Sequence, residues 1–307
     1  MTTTVERPVA ETPAPRPRGE GAGVGTGALN LLNGGFLLFW GLLTVLPLLW
    51  AVLSSFKTNT EFLSDPWGLP AVARFDNFAR AWTVANIGQY FVNSLIVVVI
   101  SVPLTMLLGA MAAYVLSRYT FPGNRLIYFA FVGGMIFPVF LALVPLFFVV
   151  RNLGTIPLIG EFLGLNSLLS LALVYAAFSM PFTVFFLTAF FRTQPTSIAE
   201  AAIVDGCSHF GLFFRVMLPM AKPGLISIGL FNVLGHWNQY VLPVVLMNEP
   251  DKKVLAQGLA SLAISQGYRG DWTALFAGLV IALLPVLIVY VLFQKQVQAG
   301  LTAGVLK

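Results

Sequence analysis

An all-α, polytopic membrane bundle of six transmembrane helices is the fold class this sequence predicts, and three observations carry the prediction. Only 29 of 307 residues are charged, 17 Lys+Arg and 12 Asp+Glu, or 9%. A soluble domain carries roughly 25% and needs them to cover its surface. Hydrophobic residues make up 58% of the chain, which excludes intrinsic disorder for its bulk. Six segments contain no Asp, Glu, Lys or Arg: about 31–56, 91–116, 126–150, 168–191, 225–247 and 273–293. Each is long enough to cross a hydrocarbon layer of ~30 Å as a helix rising about 1.5 Å per residue. None shows the strict polar–apolar alternation of a barrel strand.

The elements follow in order. Residues 1–28 are rich in Pro, Thr, Ala, Gly and Glu and read as a disordered tail. No apolar core follows the basic residues until Leu29, so the tail does not read as a signal peptide. Gly19 to Gly27 has no strand before it and reads as a flexible linker rather than a phosphate loop. The membrane domain is placed at 29–293, and a C-terminal tail at 294–307. Every span holds proline: Pro47, Pro103, Pro138 with Pro145, Pro181, Pro243 and Pro285. Proline removes a backbone donor and kinks its helix. This fits either a moving, cavity-forming bundle or the ordinary enrichment of proline in membrane helices.

Orientation follows from Lys and Arg in the connecting segments. The side holding the termini, loop 117–125 and loop 192–224 carries ten basic and five acidic residues. The opposite side carries seven of each. Both termini are therefore expected in the cytoplasm. The single cysteine, Cys207, excludes a disulfide framework within the chain. No basic run of five or more residues points to nucleic acid.

Loop 192–224 is the most informative. Ser197 and Glu200 have capping-box spacing, so a helix should start near Ser197 with Glu200 in its first turn. Ala201 and Ala202 keep that helix thin, and Gly206 suits the position after its end, where φ is often positive. A second short helix, about Ser208 to Val216, should end before Pro219. Together these make a helix–turn–helix on the cytoplasmic face.

In the fifth span, Asn232, His236 and Gln239 stand at i, i+4 and i+7, within about 60° of one another on a helix. They either line a translocation path or hold helices together by hydrogen bonds. A metal site is not expected, because His209 lies in the loop and His236 in the span. Asn93 and Ser94 read as caps of the second span rather than substrate contacts. The external loop 248–272 contains an apolar stretch, Val254 to Ile264. It reads as a short amphipathic helix that meets either an external partner or the membrane surface.

Glu200-Ala201-Ala202, then Asp205-Gly206, then Leu218-Pro219 between the fourth and fifth spans resembles the coupling loop of ABC importer permeases. Lys57 to Pro66, Asn93-Ser94, Trp237-Asn238 and Gly300 to Gly304 resemble the carbohydrate-importing subfamily, most of all the six-span permease of maltose-type systems. Cys207 departs from the usual Ala of that family. The resemblance implies a type I importer-permease fold and a coupling helix that docks on a cytosolic ATPase, with Glu200 a polar contact and Gly206 setting the turn. It also implies a second, distinct permease, two ATPase subunits and an extracytoplasmic solute-binding protein. ATP and Mg would be bound by the ATPase, since this chain has no Gly-Lys dipeptide and hence no Walker A loop. No cofactor is expected in the chain itself. The cargo implied is a sugar or oligosaccharide, with amino-sugar oligomers such as chitobiose among the candidates. An ion-coupled transporter would normally place ionisable residues in its spans, and none is there. A membrane enzyme would need a catalytic constellation; Glu200 and Asp205, five apart, diverge by about 140° around a helix.

Overall fold

The computed structural model describes residues 24–265 and 270–303, with side chains for 30–265 and 270–294. The tail up to residue 23, Arg269 and Gly304 lie outside these residues. Among the described residues there are helices and no strand. The described residues divide into two units, one running up to Leu49 and one from Trp50 onward.

Helix α1 (Val24–Ser54) supplies the first unit, and its described side chains up to Leu49 are all exposed. In the second unit, short helices α2 (Asn59–Ser64) and α3 (Asp76–Thr83) precede the long α4 (Ile87–Arg118). Then come α5 (Asn124–Ile136), α6 (Val139–Leu153), the single turn α7 (Gly160–Leu163) and α8 (Leu168–Thr193). The loop elements are α9 (Thr196–Val204), α10 (His209–Gly211), a π-helical stretch Leu212–Met217 and α11 (Leu218–Met220). Helices α12 (Lys222–Trp237), α13 (Val241–Leu246), α14 (Leu255–Ser265) and α15 (Trp272–Ala303) complete it.

Among the described residues, four helices are long and apolar enough to cross a membrane: Asn30–Ser54, Ile87–Arg118, Leu168–Thr193 and Trp272–Gln294. Two bent pairs bring the number to six if each pair is one span. The first pair corrects the expectation of an unbroken third span. Helices α5 and α6 meet at 103°. Phe137 before Pro138 is extended, with φ −68° and ψ 123°, because the proline ring disfavours a helical residue ahead of it. The fifth span is also not continuous over 225–247. It stops at Trp237 and resumes at Val241. Pro243 cannot donate to the carbonyl four residues back, at Gln239, and its ring excludes that carbonyl from the ladder. Within the break, the Gln239 Oε1 accepts from the Tyr240 and Val241 N–H groups at 3.1 and 3.2 Å. Helix α15 continues to Ala303, through the stretch expected as a tail. Pro47, Pro103, Pro181 and Pro285 stay inside unbroken helices.

Helices α4 and α8 form the spine. They approach closely at Gly109, where a Cβ would fall 2.5 Å from Thr183 Cγ2, followed by buried Ala110 and Ala113. Small residues permit this contact in a bundle that lacks a hydrophobic driving force between helices. Toward the Arg118 end of α4, Tyr114, Leu187, Phe191, Leu212 and Met217 form one core. At the Ile87 end, Tyr90, Trp237, Leu255 and Leu275 form another. A third joins Leu171 and Tyr175 of α8 to Leu242 and Leu246 of α13.

Candidate functional site

The loop between α8 and α12 starts from a half-buried anchor. Arg118 Nη2 donates to the carbonyls of Phe191 and Gln194 at 2.8 and 2.7 Å. This cationic cap ends α8 at its C-terminus. Gln194 turns inward and its Nε2 donates to Met217 O at 3.3 Å. Pro195, with φ −61° and ψ 134°, then starts α9 at Thr196. The expected capping box is therefore absent: no side chain caps α9, and Glu200 stands beyond the first turn. The fixed φ of Pro195, not Ser197, sets the boundary.

The C-terminus follows the sequence reading. Gly206 has φ +82°. Its N–H donates to Ile203 O, and the Cys207 N–H to Ala202 O, both at 2.9 Å. This is a Schellman closure. Ala202 and Cys207 both pack against the core of Leu212 and Met217, so Cys207 acts as a small apolar residue where the family's Ala would stand. Ser208 Oγ then accepts from the Gly211 N–H at 3.2 Å and starts α10. The chain does not stop before Pro219 as expected. The wide π turns over Leu212–Met217 bring Pro219 into the first turn of α11, where a missing N–H is harmless.

The motif residues divide by face. Ala202 and Leu218 are half-buried against the core. Glu200, Ala201, Asp205, Gly206 and Pro219 are exposed. No residue of α9 is buried, and Ile203 and Val204 are 49% and 86% exposed. The loop thus presents an apolar ridge with two carboxylates, fixed by the turn at Gly206.

The polar residues of the fifth span separate. Asn232 and His236 are buried. Asn232 Nδ2 donates to Thr183 Oγ1 at 3.0 Å and to Ile228 O at 3.1 Å. His236 Nδ1 lies 2.7 Å from Ser101 Oγ, and Nε2 lies 2.7 Å from Ser179 Oγ. A neutral imidazole donates through one nitrogen and accepts at the other, so this ring links α4, α8 and α12. Gln239 lies beyond the end of α12, where its Oε1 accepts from the Tyr240 and Val241 N–H groups. The strip assumed a helix through Gln239, which the break removes. Sequence reasoning missed Ser101, Ser179 and Thr183. Ser94, Ser101 and Thr105 recur on one face of α4, and that periodicity was the available signal.

At the other end of α4, Asn93 and Ser94 do not cap their helix, which begins at Ile87. Asn93 Nδ2 donates to Asp251 O and Lys253 O at 2.8 and 2.9 Å. Ser94 Oγ accepts from the Leu255 N–H, the first of α14, at 2.8 Å. The amphipathic helix of the 248–272 loop is α14, and its buried residues Leu255 and Leu259 pack on Tyr90 and α15. Asp271 caps α15: its Oδ1 accepts from the Ala274 N–H at 3.0 Å, and its Oδ2 pairs with Arg80 Nε at 2.9 Å. Burial pushes this carboxyl up, but the bonds from Arg80, Ala274 and Thr273 prevail and hold it below its ordinary value. Among the described residues no group of three or more His, Cys, Asp or Glu could hold a metal ion.

This geometry has relatives. The chain is 50% identical over 268 residues to the diacetylchitobiose uptake system permease protein NgcG of Streptomyces coelicolor, covering 87% of this chain and 86% of that one. The fold is similar to a chain in the crystal structure of a bacterial ABC transporter involved in the import of the acidic polysaccharide alginate. That match has a TM-score of 0.75 and 21% identity, and covers 89% of this chain and 98% of that one. A bacterial alginate ABC transporter in complex with an alginate pentasaccharide-bound periplasmic protein matches with a TM-score of 0.61 at 16% identity, over 88% and 95% of the two chains. Residues 105–302, from the middle of α4 nearly to the end of α15, match the binding-protein-dependent transport system inner membrane component family, and the chain belongs to that family.

Proposed function

We propose that this chain is one permease subunit of an ABC importer for an oligosaccharide, with amino-sugar oligomers such as diacetylchitobiose the first candidates. The observation that carries the reading is α9: an exposed helix bearing Glu200 and Asp205, closed by the positive φ of Gly206 and braced on the α4–α8 core. A fixed but uncovered helix suits a surface that a motor subunit grips. The similarity to NgcG supports the cargo class.

In this reading the chain pairs with a second permease, two cytosolic ATPase subunits and an extracytoplasmic solute-binding protein. ATP and Mg are held by the ATPases, and this chain is non-catalytic. Both termini lie in the cytoplasm of the host, in accord with the basic bias of their side. Closure of the ATPases draws the coupling helices together and turns the membrane cavity toward the binding protein. Asn232 and His236 then act at the α4–α8–α12 contact, where the bundle must rearrange, and Gln239 at the break beyond α12.

Uptake of a panel of labelled sugars in a strain lacking this chain tests the proposal. Uptake of an amino-sugar oligomer should disappear on deletion, return with the intact chain, and resist collapse of ion gradients while ATP is maintained. Unchanged uptake of every sugar in the panel, or uptake that follows an ion gradient, would overturn it.

A further inference from the structure

Three cavities meet at Phe121, in the turn between α4 and α5, and their linings differ in chemistry. The first, about 630 Å³, is lined by Arg118, Arg125 and Arg192 with Ser117, Thr120 and Asn124. The second, about 510 Å³, is apolar, between α4 and the loop segment bearing Phe210, Phe213 and Phe214. The third, about 300 Å³, is apolar too, between Met111 and Val115 of α4 and Ile127 and Phe131 of α5. Phe121 lines all three. No carboxylate lines any of them among the described residues. Nor does any of the three arginines form an ion pair there. Arg125 lies over the Phe129 ring at 5.5 Å and Arg192 over the Tyr128 ring at 5.2 Å. Stacking holds each guanidinium in place without neutralising it.

From this arrangement we infer a binding site for an anionic diacyl phospholipid of the surrounding leaflet. The arginine cavity fits the phosphate headgroup, and the two apolar troughs either side of Phe121 fit one acyl chain each. Basic pockets at the cytoplasmic ends of membrane helices suit anionic headgroups, and Tyr119, Phe121 and Tyr128 supply the aromatic groups that favour the interface. An acidic protein surface would satisfy the arginines and leave both troughs open. An apolar peptide would fill a trough and leave the charge of the arginines without an anion. A phospholipid meets all three linings. The chain in the second trough would lie against Phe210 and Phe214, on the segment that follows Gly206. The site depends on the chain's membrane-spanning helices and not on its cargo.

Native mass spectrometry of the full-length chain, exchanged in detergent against phosphatidylglycerol or phosphatidylcholine, reads the site directly. The intact chain should retain phosphatidylglycerol in preference. Arg125→Gln with Arg192→Gln, both on exposed side chains, should weaken phosphatidylglycerol binding on the order of tenfold and leave phosphatidylcholine unchanged. Phe121→Gln should weaken both lipids, and Lys252→Gln at the far end of α4 neither. Inorganic phosphate should not displace the lipid. Equal retention of both lipids by the intact chain, an undiminished preference in the double arginine variant, or displacement by phosphate would overturn the site. So would loss of an ATPase partner from that variant with its lipid preference intact, which would assign the arginines to a protein. These readouts are independent of uptake, so failure here leaves the transport proposal standing, and the reverse.

Discussion

At the Ile87 end of α4, polar side chains from several segments bond one another; at the Arg118 end, α9 turns its polar side chains outward. Lys57 is only 1% exposed, and its Nζ donates to the carbonyls of Asp65 and Pro66, both at 3.0 Å. Asn77 Nδ2 donates to Ser55 O and Lys57 O at 2.7 and 2.8 Å. Arg80 reaches Asp76, Asn77 and Asp271, while Asn93 and Ser94 hold the segment before α14. At the other end, the Glu200 and Asp205 side chains have no hydrogen bond or ion pair among the described residues, and Val204 is 86% exposed. At the first end these polar groups find their partners within the described residues. The other is rigid but unfinished, as a surface awaiting a partner should be.

The comparison predicts that changes at the first end cost stability and changes in α9 cost function alone. The largest loss of stability is expected from Lys57→Met. It strands the Asp65 carbonyl and leaves Pro66 O with the Trp50 Nε1–H alone, at about 3 kcal/mol for the charge-assisted bonds lost, and should lower the thermal midpoint of the purified chain by several degrees. An unchanged midpoint would break the contrast. Asn93→Leu should cost about 1–2 kcal/mol by freeing the Asp251 and Lys253 carbonyls, and protease accessibility of the segment before α14 should rise. His236→Leu in the middle of the bundle leaves two serine hydroxyls unpaired, at about 1 kcal/mol. A cycle with Ser179→Ala should recover part of that loss; strict additivity would remove the link between α8 and α12.

The Asp271 latch is expected to be weaker, and it carries a pH signature. Its carboxyl is held below the ordinary 3.8, so its contribution is full above about pH 4 and fades as pH falls through the lowered native value. Asp271→Asn should flatten that acid limb of stability. An acid limb identical in the variant would exclude the latch. Smallest of all is Glu200→Lys, on a solvent-facing side chain, with an expected stability change within about 0.5 kcal/mol.

The fold class was legible because scarcity of charge and span length are properties of the whole chain, and the long uninterrupted helices α1, α4, α8 and α15 follow them. The breaks were not placed, although their cause stood in the sequence. Pro138 and Pro243 were visible, but Pro103 and Pro181 sit in unbroken helices. Whether a proline breaks or is accommodated depends on neighbours that can satisfy the freed carbonyl. The turn at Gly206 was readable from local chemistry. The start of α9 was also readable, falling at Thr196 against an expected start near Ser197, but its cause was not: Pro195 sets it rather than a capping box, just after Arg118, 77 positions before Pro195 in sequence, ends α8. Asn93 and Ser94 looked like caps because caps are local; their partners lie 158–161 residues away.

The central claim is that the exposed face of α9 and its turn at Gly206 receive the work of an external ATPase. Co-purification of that ATPase with the full-length chain carrying Glu200→Lys and Gly206→Pro tests it most directly. Pro cannot adopt the φ of +82° that Gly206 holds. The account predicts normal membrane insertion, loss of the ATPase from the purified complex, and loss of uptake. Full uptake with the ATPase retained at the level of the intact chain would contradict it.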